Sequence, residues 1–245
     1  MQSLRFFYSA VCVFCLQYSL PAQGFDRIDP LRFTKENMHF LNDANGRPFK
    51  PLRNFDEEGS PYFSDTYIES RIQMVNGKVY HNVPIKFNQL TGEIIFKTAE
   101  GAEMMLVTPF QRIELQHNGK TYVFRSGFPP IDKQHEQSLY QVLDSGTTLL
   151  LKYTTVTYQD NQPYNLPTIT RTYTKKENHY IWKHPRGLLR LPKNESDWFS
   201  FFGEHKTEMS NFIMNSHLKL KNEEDLIKAV KYYNQLLQQV SASRQ

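Results

Sequence analysis

The stretch "VYHNVPIKFNQLTGEIIF", residues 79–96, decides the fold class. In its first half Val79, Val83, Ile85 and Phe87 take the odd positions, and Tyr80, Asn82 and Lys86 take even ones. Alternation of this kind marks a strand with one face buried. Thr91-Gly92 then supplies a turn, and Ile94 and Phe96 resume the alternation. Two strands joined by so short a turn are antiparallel neighbours.

The same pattern continues downstream. Ile113 and Leu115 alternate in "RIELQ", and Tyr122 and Phe124 in "TYVFR". Asn76-Gly77 and Asn118-Gly119 are hairpin turn pairs, because both residues tolerate a positive φ. Thr, Tyr and Val dominate the later runs "SLYQVL", "TLLLKYTTVTY", "TITRTYT", "HYIWKH" and "GLLRL". Residues 65–191 are therefore predicted to form about ten strands, too many for one flat sheet. The expected architecture is mainly β, an antiparallel up-and-down sandwich or open barrel closed by two to three C-terminal helices.

After Pro192 the apolar period becomes 3.6. Met209, Phe212 and Ile213 stand at helical spacing. In the last helix Asn222 is the predicted cap, and Glu223, Glu224 and Asp225 load the first turn with negative charge. Leu226, Val230, Tyr233, Leu237 and Val240 form one stripe, expected to bury against the β domain. Residues 192–245 thus read as a helical segment packed on that domain, with Trp198, Phe199, Phe201 and Phe202 as core rings.

The N-terminal quarter reads differently. Arg5 precedes an uncharged apolar run, "FFYSAVCVFCLQYSL", and then Ala22 and Gly24 in a small-residue cleavage pattern. Residues 1–24 are predicted to be a secretory signal peptide, too short in apolar length to span a bilayer. Residues 25–64 are expected to be an extended arm, with Asp56-Glu57-Glu58 solvated. Both cysteines, Cys12 and Cys15, lie in the signal segment. The mature chain then has no disulfide, thiol nucleophile or Cys-ligated zinc. Without Arg5 it carries 28 basic and 25 acidic residues, a net charge of 28 − 25 = +3, too weak a balance to predict nucleic-acid binding. Periplasmic or cell-surface localisation follows from the leader, with no transmembrane span in the mature chain.

Asp144-Ser145-Gly146-Thr147, inside "QVLDSGTTLLLKY", matches the active-site loop of aspartic proteases. That chemistry needs two such loops, since two carboxylates share one proton. There is no second copy of the motif in the chain. A turn between "SLYQVL" and "TTLLLKY" explains every residue, with Asp and Ser bonding nearby backbone and Gly taking a strained φ. Eight scattered histidines show no metal spacing. His179 and His184 flank "YIWK" and are expected to meet in a hairpin only as a surface pair. No metal, cofactor or catalytic residue is predicted.

One region is lopsided in charge. Residues 170–193 hold Arg171, Lys175, Lys176, Lys183, Arg186 and Arg190 with Glu177 as the only acid, and Tyr180 and Trp182 among them. On one face these would form an anion-binding surface with aromatic platforms, suited to an anionic glycan, a lipid head group or an envelope protein. A solvated strand face accounts for the same composition.

The phrases "GSPYFSDTY", "GKVYHNVPIKFNQLTGEIIF", "SLYQVLDSGTTLLLKY" and "EEDLIKAVKYYNQL" together resemble a family of uncharacterised secreted proteins from Gram-negative bacteria, over about residues 59–236. The resemblance implies export and a short Gly turn where this chain has DSGTT. It implies no activity, substrate or catalytic residue. The expectation is an exported, non-catalytic envelope protein that binds a ligand or partner; the alternative is an envelope hydrolase whose carboxylates meet only in the fold.

Overall fold

The computed structural model describes residues 46–48, 55–98, 100–162, 164, 168–184, 186–192, 194, 197, 198 and 201–242. The predicted signal segment, residues 1–24, and the segment "FTKENMHFL" lie outside them. Among the described residues twelve strands form a single sheet that does not close: β1 (Arg47–Pro48), β2 (Phe55–Glu58), β3 (Ile68–Met74), β4 (Val79–Asn88), β5 (Glu93–Lys97), β6 (Glu103–Met105), β7 (Phe110–His117), β8 (Lys120–Arg125), β9 (Tyr140–Asp144), β10 (Thr148–Asn161), β11 (Ile169–Lys183) and β12 (Gly187–Arg190). Two α-helices are described in full after the sheet, α1 (Lys206–Asn215) and α2 (Glu223–Ala242). Ten of the strands, β3–β12, fall between Ile68 and Arg190.

The sheet is not a simple meander. Its order is β1-β6-β5-β4-β3-β7-β8-β9-β10-β11-β12, so the chain crosses back after β6 to set β7 beside β3. β2 lies off that path and pairs in parallel with the start of β11, Phe55 opposite Ile169 and Glu58 opposite Thr172. The sheet is therefore mixed. The acids expected to be merely solvated are part of this seam: Tyr173 donates to Glu57 at 2.9 Å and Thr172 to Glu58 at 3.0 Å.

Local chemistry explains the turns. Asn118 (φ 50°) and Gly119 (φ 71°) are both left-handed, as a two-residue β7–β8 hairpin closed by His117 opposite Lys120 requires. The predicted parity of β4 breaks at Asn82, which has φ 54°. Ser70 pairs with Val83 but Ile72 with Tyr80, so β4 holds a bulge there. Tyr80 consequently turns inward and Val79 outward, the reverse of simple alternation.

Packing divides by face. In the sheet Phe124 pairs with Gln141, Gln141 with Lys152, and Lys152 with His179, so these four share one face. On that face lies a core of Ile72, Val83, Ile85, Phe87, Ile113 and Phe124. Farther along, Leu150 and Ile181 meet the helices through Trp198, Phe202, Met209, Leu226, Val230 and Tyr233. A third cluster, Phe128, Tyr140, Leu149, Leu151, Tyr180 and Leu188, sits on the opposite face. Asn222 caps α2 as predicted, accepting from the Glu224 N–H at 2.8 Å. Phe212 stacks on Tyr232 at 4.0 Å between ring centres, which ties α1 to α2.

Candidate functional site

β11 runs unbroken for 15 residues where the sequence predicts two strands, "TITRTYT" and "HYIWKH". Its parity sorts the basic region. Arg171, Lys175 and Lys183 occupy odd positions and face the helix side; Lys176, Tyr180 and Trp182 face the other way. Arg190 pairs with Tyr180 and joins the second group. Arg186 stands exposed in the β11–β12 connection. The eight residues therefore do not form one surface.

The helix-side members have structural partners. Arg171 is buried and grips Asp160 through two hydrogen bonds of 2.7 Å. Its guanidinium lies 3.9 Å from the Tyr158 ring centre, and the bond to Asp160 raises its pKa further. Lys175 donates to the Tyr62 carbonyl at 2.5 Å, and burial lowers its pKa. Lys183 donates to the Tyr233 hydroxyl of α2 at 2.8 Å. Each is engaged by a partner within the chain, Lys175 at the surface.

The other face carries a groove of about 680 Å³, lined by Lys176, Asn178 and Tyr180 of β11, Tyr153, Thr155 and Thr157 of β10, Arg190 of β12, and the 132–134 loop. Asp132 adopts φ 53°, a conformation uncommon for a residue with a side chain. Two groove residues hold it there: Tyr180 donates to it at 2.9 Å and Arg190 at 3.2 Å. Arg190 also donates to Asn178 at 2.6 Å. Burial, reinforced by the bond to Asp132, pushes the Tyr180 hydroxyl pKa upward, so it stays a donor. Trp182 lies behind, edge-on to Phe128 at 6.3 Å. Lys133 and Lys176 are exposed and form no ion pair among the described residues. Three cations thus face one carboxylate, beside hydroxyls, amides and two tyrosines.

Sequence reasoning found Lys176, Tyr180 and Arg190 but not Lys133, Tyr153, Thr155 or Thr157. The alternation Tyr153, Thr155, Thr157 within "YTTVT" was the available signal. Its register against β11 was not readable.

Two carboxylates do converge only in the fold. Lys152 lies 2.8 Å from Glu223 of α2 and 3.3 Å from Glu177 of β11. His179 is 3.2 Å from Glu223. The hydrogen bond from His179 and the charge of Lys152 lower the Glu223 pKa to about 2 against the cost of burial. A carboxylate held ionised in this way is a clamp for α2 and a poor general acid. His184 lies beyond the strand end, so the expected His179–His184 pairing does not form.

The DSG segment is the β9–β10 connection, with Asp144 closing β9 and Thr148 opening β10. Burial raises the Asp144 pKa, while Asn234 of α2 donates to its carboxylate at 3.1 Å. Gly146 is not in the left-handed region, contrary to the turn prediction. It is small for another reason: a Cβ there would stand 2.7 Å from Asn234 Nδ2. Among the described residues no three His, Cys, Asp or Glu side chains group to hold a metal, and no helix is long and apolar enough to cross a membrane. No protein-family model, curated protein or solved structure matches this chain.

Proposed function

We propose that this is an exported, non-catalytic envelope protein that binds an anionic glycan in the groove between β10, β11 and the 132–134 loop. The observation that carries this reading is the convergence of Lys133, Lys176 and Arg190 beside Tyr153, with Asp132 as the one carboxylate among the described lining residues. Cations recognise carboxylate or sulfate groups, the half-buried Tyr153 supplies an aromatic ring, and Thr155, Thr157 and Asn178 supply hydroxyl and amide partners. A lipid head group offers the charge but leaves the hydroxyl and amide groups unused. Export, to the periplasm or cell surface, rests on the charge and apolar pattern of residues 1–24, and agrees with the resemblance to secreted Gram-negative proteins. The groove stands on an open barrel in this reading. In support, one hydrogen-bonded path runs through eleven strands, where a sandwich divides its strands between two sheets.

The test is thermal unfolding with uronic-acid oligosaccharides, neutral oligosaccharides and anionic lipid vesicles. At about 100 times its dissociation constant a true ligand adds about 2.7 kcal/mol of stability. The uronic-acid oligosaccharide is expected to raise the midpoint, less so in high salt. Lys133→Met with Lys176→Met should remove the shift without altering the unliganded midpoint. No shift, or a shift that survives the double substitution, rejects the reading.

A further inference from the structure

We propose that residues 155–161 of β10 are a pairing edge for a second copy of this chain. β10 pairs with β11 along its full length, Thr148–Asn161, but with β9 only at Leu150–Lys152. Beyond Lys152 no described residue pairs with its other side. The hairpin thus projects past β9 with a row of backbone donors and acceptors that no described strand pairs.

Sheets commonly blunt such edges with charge, proline, bulges or brevity. The other borders of this sheet follow that rule. β12 has four residues, bounded by Arg186, Arg190 and Pro192, and β1 has two, Arg47 and Pro48. The β10 edge does not. Residues 153–159, "YTTVTYQ", carry no charge, no proline and no glycine, and are rich in β-branched and aromatic side chains. The first charge, Asp160, is turned onto Arg171 of the same copy. Nor is a bulge present in the β10–β11 ladder.

The edge is self-complementary in one register. Homodimers are mostly two-fold, and a two-fold antiparallel pair must set one residue opposite itself. With Thr157 at the centre, Thr157 meets Thr157 and Thr155 meets the second copy's Gln159, favourable cross-strand pairs on one face; on the other, Val156 is already buried within its own copy. Centring on Tyr158 would press Val156 against Asp160, setting an apolar group on a carboxylate. A strand pair of this length is smaller than the roughly 800 Å² per partner of a standard interface, so the dimer should dissociate on dilution. The inference stands on edge chemistry and does not depend on the ligand reading.

Sedimentation of the ligand-free protein over a concentration series tests it. The wild type should shift from monomer to dimer as concentration rises. Thr157→Lys places like charges opposite each other and should weaken the dimer roughly tenfold or more. Thr157→Glu should do the same. An equimolar mixture of the two variants should dimerise again, because Lys then faces Glu. A wild type that stays monomeric at the highest attainable concentration overturns the proposal, as does a dimer that Thr157→Lys leaves intact. Two monomeric variants that fail to associate on mixing also overturn it.

Discussion

Asn234 holds three groups of the β9–β10 hairpin from the next layer of the fold. Its Oδ1 accepts from the buried Thr148 N–H at 2.8 Å, and its Nδ2 donates to the Thr148 carbonyl at 2.9 Å and to Asp144 at 3.1 Å. Asn234→Leu strands these groups and should cost about 1–3 kcal/mol in urea unfolding. Gly146→Ala drives a methyl group into the same side chain and should cost about 1–3 kcal/mol. The two sites touch, so Gly146→Ala should cost less in an Asn234→Ala background. Fully additive costs would show that the close approach does not matter. Asp144→Asn belongs to the same network. Because burial raises the Asp144 pKa, its ionised form weakens the fold at neutral pH, and that penalty appears as pH rises through the usual carboxylate range. Asn keeps an acceptor for Asn234 and removes the charge. The substitution should therefore change stability at neutral pH by less than about 1 kcal/mol, and a larger loss would show that the charge itself is needed.

At the scale of the element, α2 is held at both ends of its buried stripe. Tyr233 is buried near one end, against Phe202 at 5.2 Å between ring centres. At the other, Glu223 reaches Lys152 and His179 on the sheet. The Glu223 pKa falls from an ordinary 4.5 to about 2, so the native state favours the ionised form. The sign follows: this contribution is complete above about pH 4.5 and is lost as pH falls through about 2. Glu223→Gln should lower the neutral-pH midpoint and flatten its decline across that interval. An unchanged acid slope in thermal unfolding would show that the clamp contributes nothing. The stripe itself was legible, since Leu226, Val230 and Tyr233 are all buried. The clamp was not, because its four members come from three elements, β10, β11 and α2.

Over the whole molecule, the fate of the basic region shows where reading from sequence stops. Parity alone separates Arg171, Lys175 and Lys183 from Lys176, Tyr180 and Trp182, and that much was available once residues 169–183 are one strand. What occupies each face was not available. Asp160, Tyr62 and Tyr233 engage the first set from distant positions. The 132–134 loop, β12 and the β10 threonines turn the second set into a groove. The Asn-Gly hairpins were readable because positive φ is a local requirement. The β3–β7 crossover and the parallel β2 seam were not, because strands do not encode their neighbours in their own alternation.

The amino-acid sequence by itself determined the mainly β class, the hairpin turns, the helical C-terminus with its Asn222 cap, and the place of DSG between two strands. Each follows from forces acting over a few residues: side-chain periodicity, backbone φ and capping. The tertiary structure alone decided the strand order, the bulge that reverses Tyr80, the role of Gly146 as clearance for Asn234, and which cations stay unpaired. Those outcomes depend on contacts between residues far apart in the chain, and no short segment contains both partners.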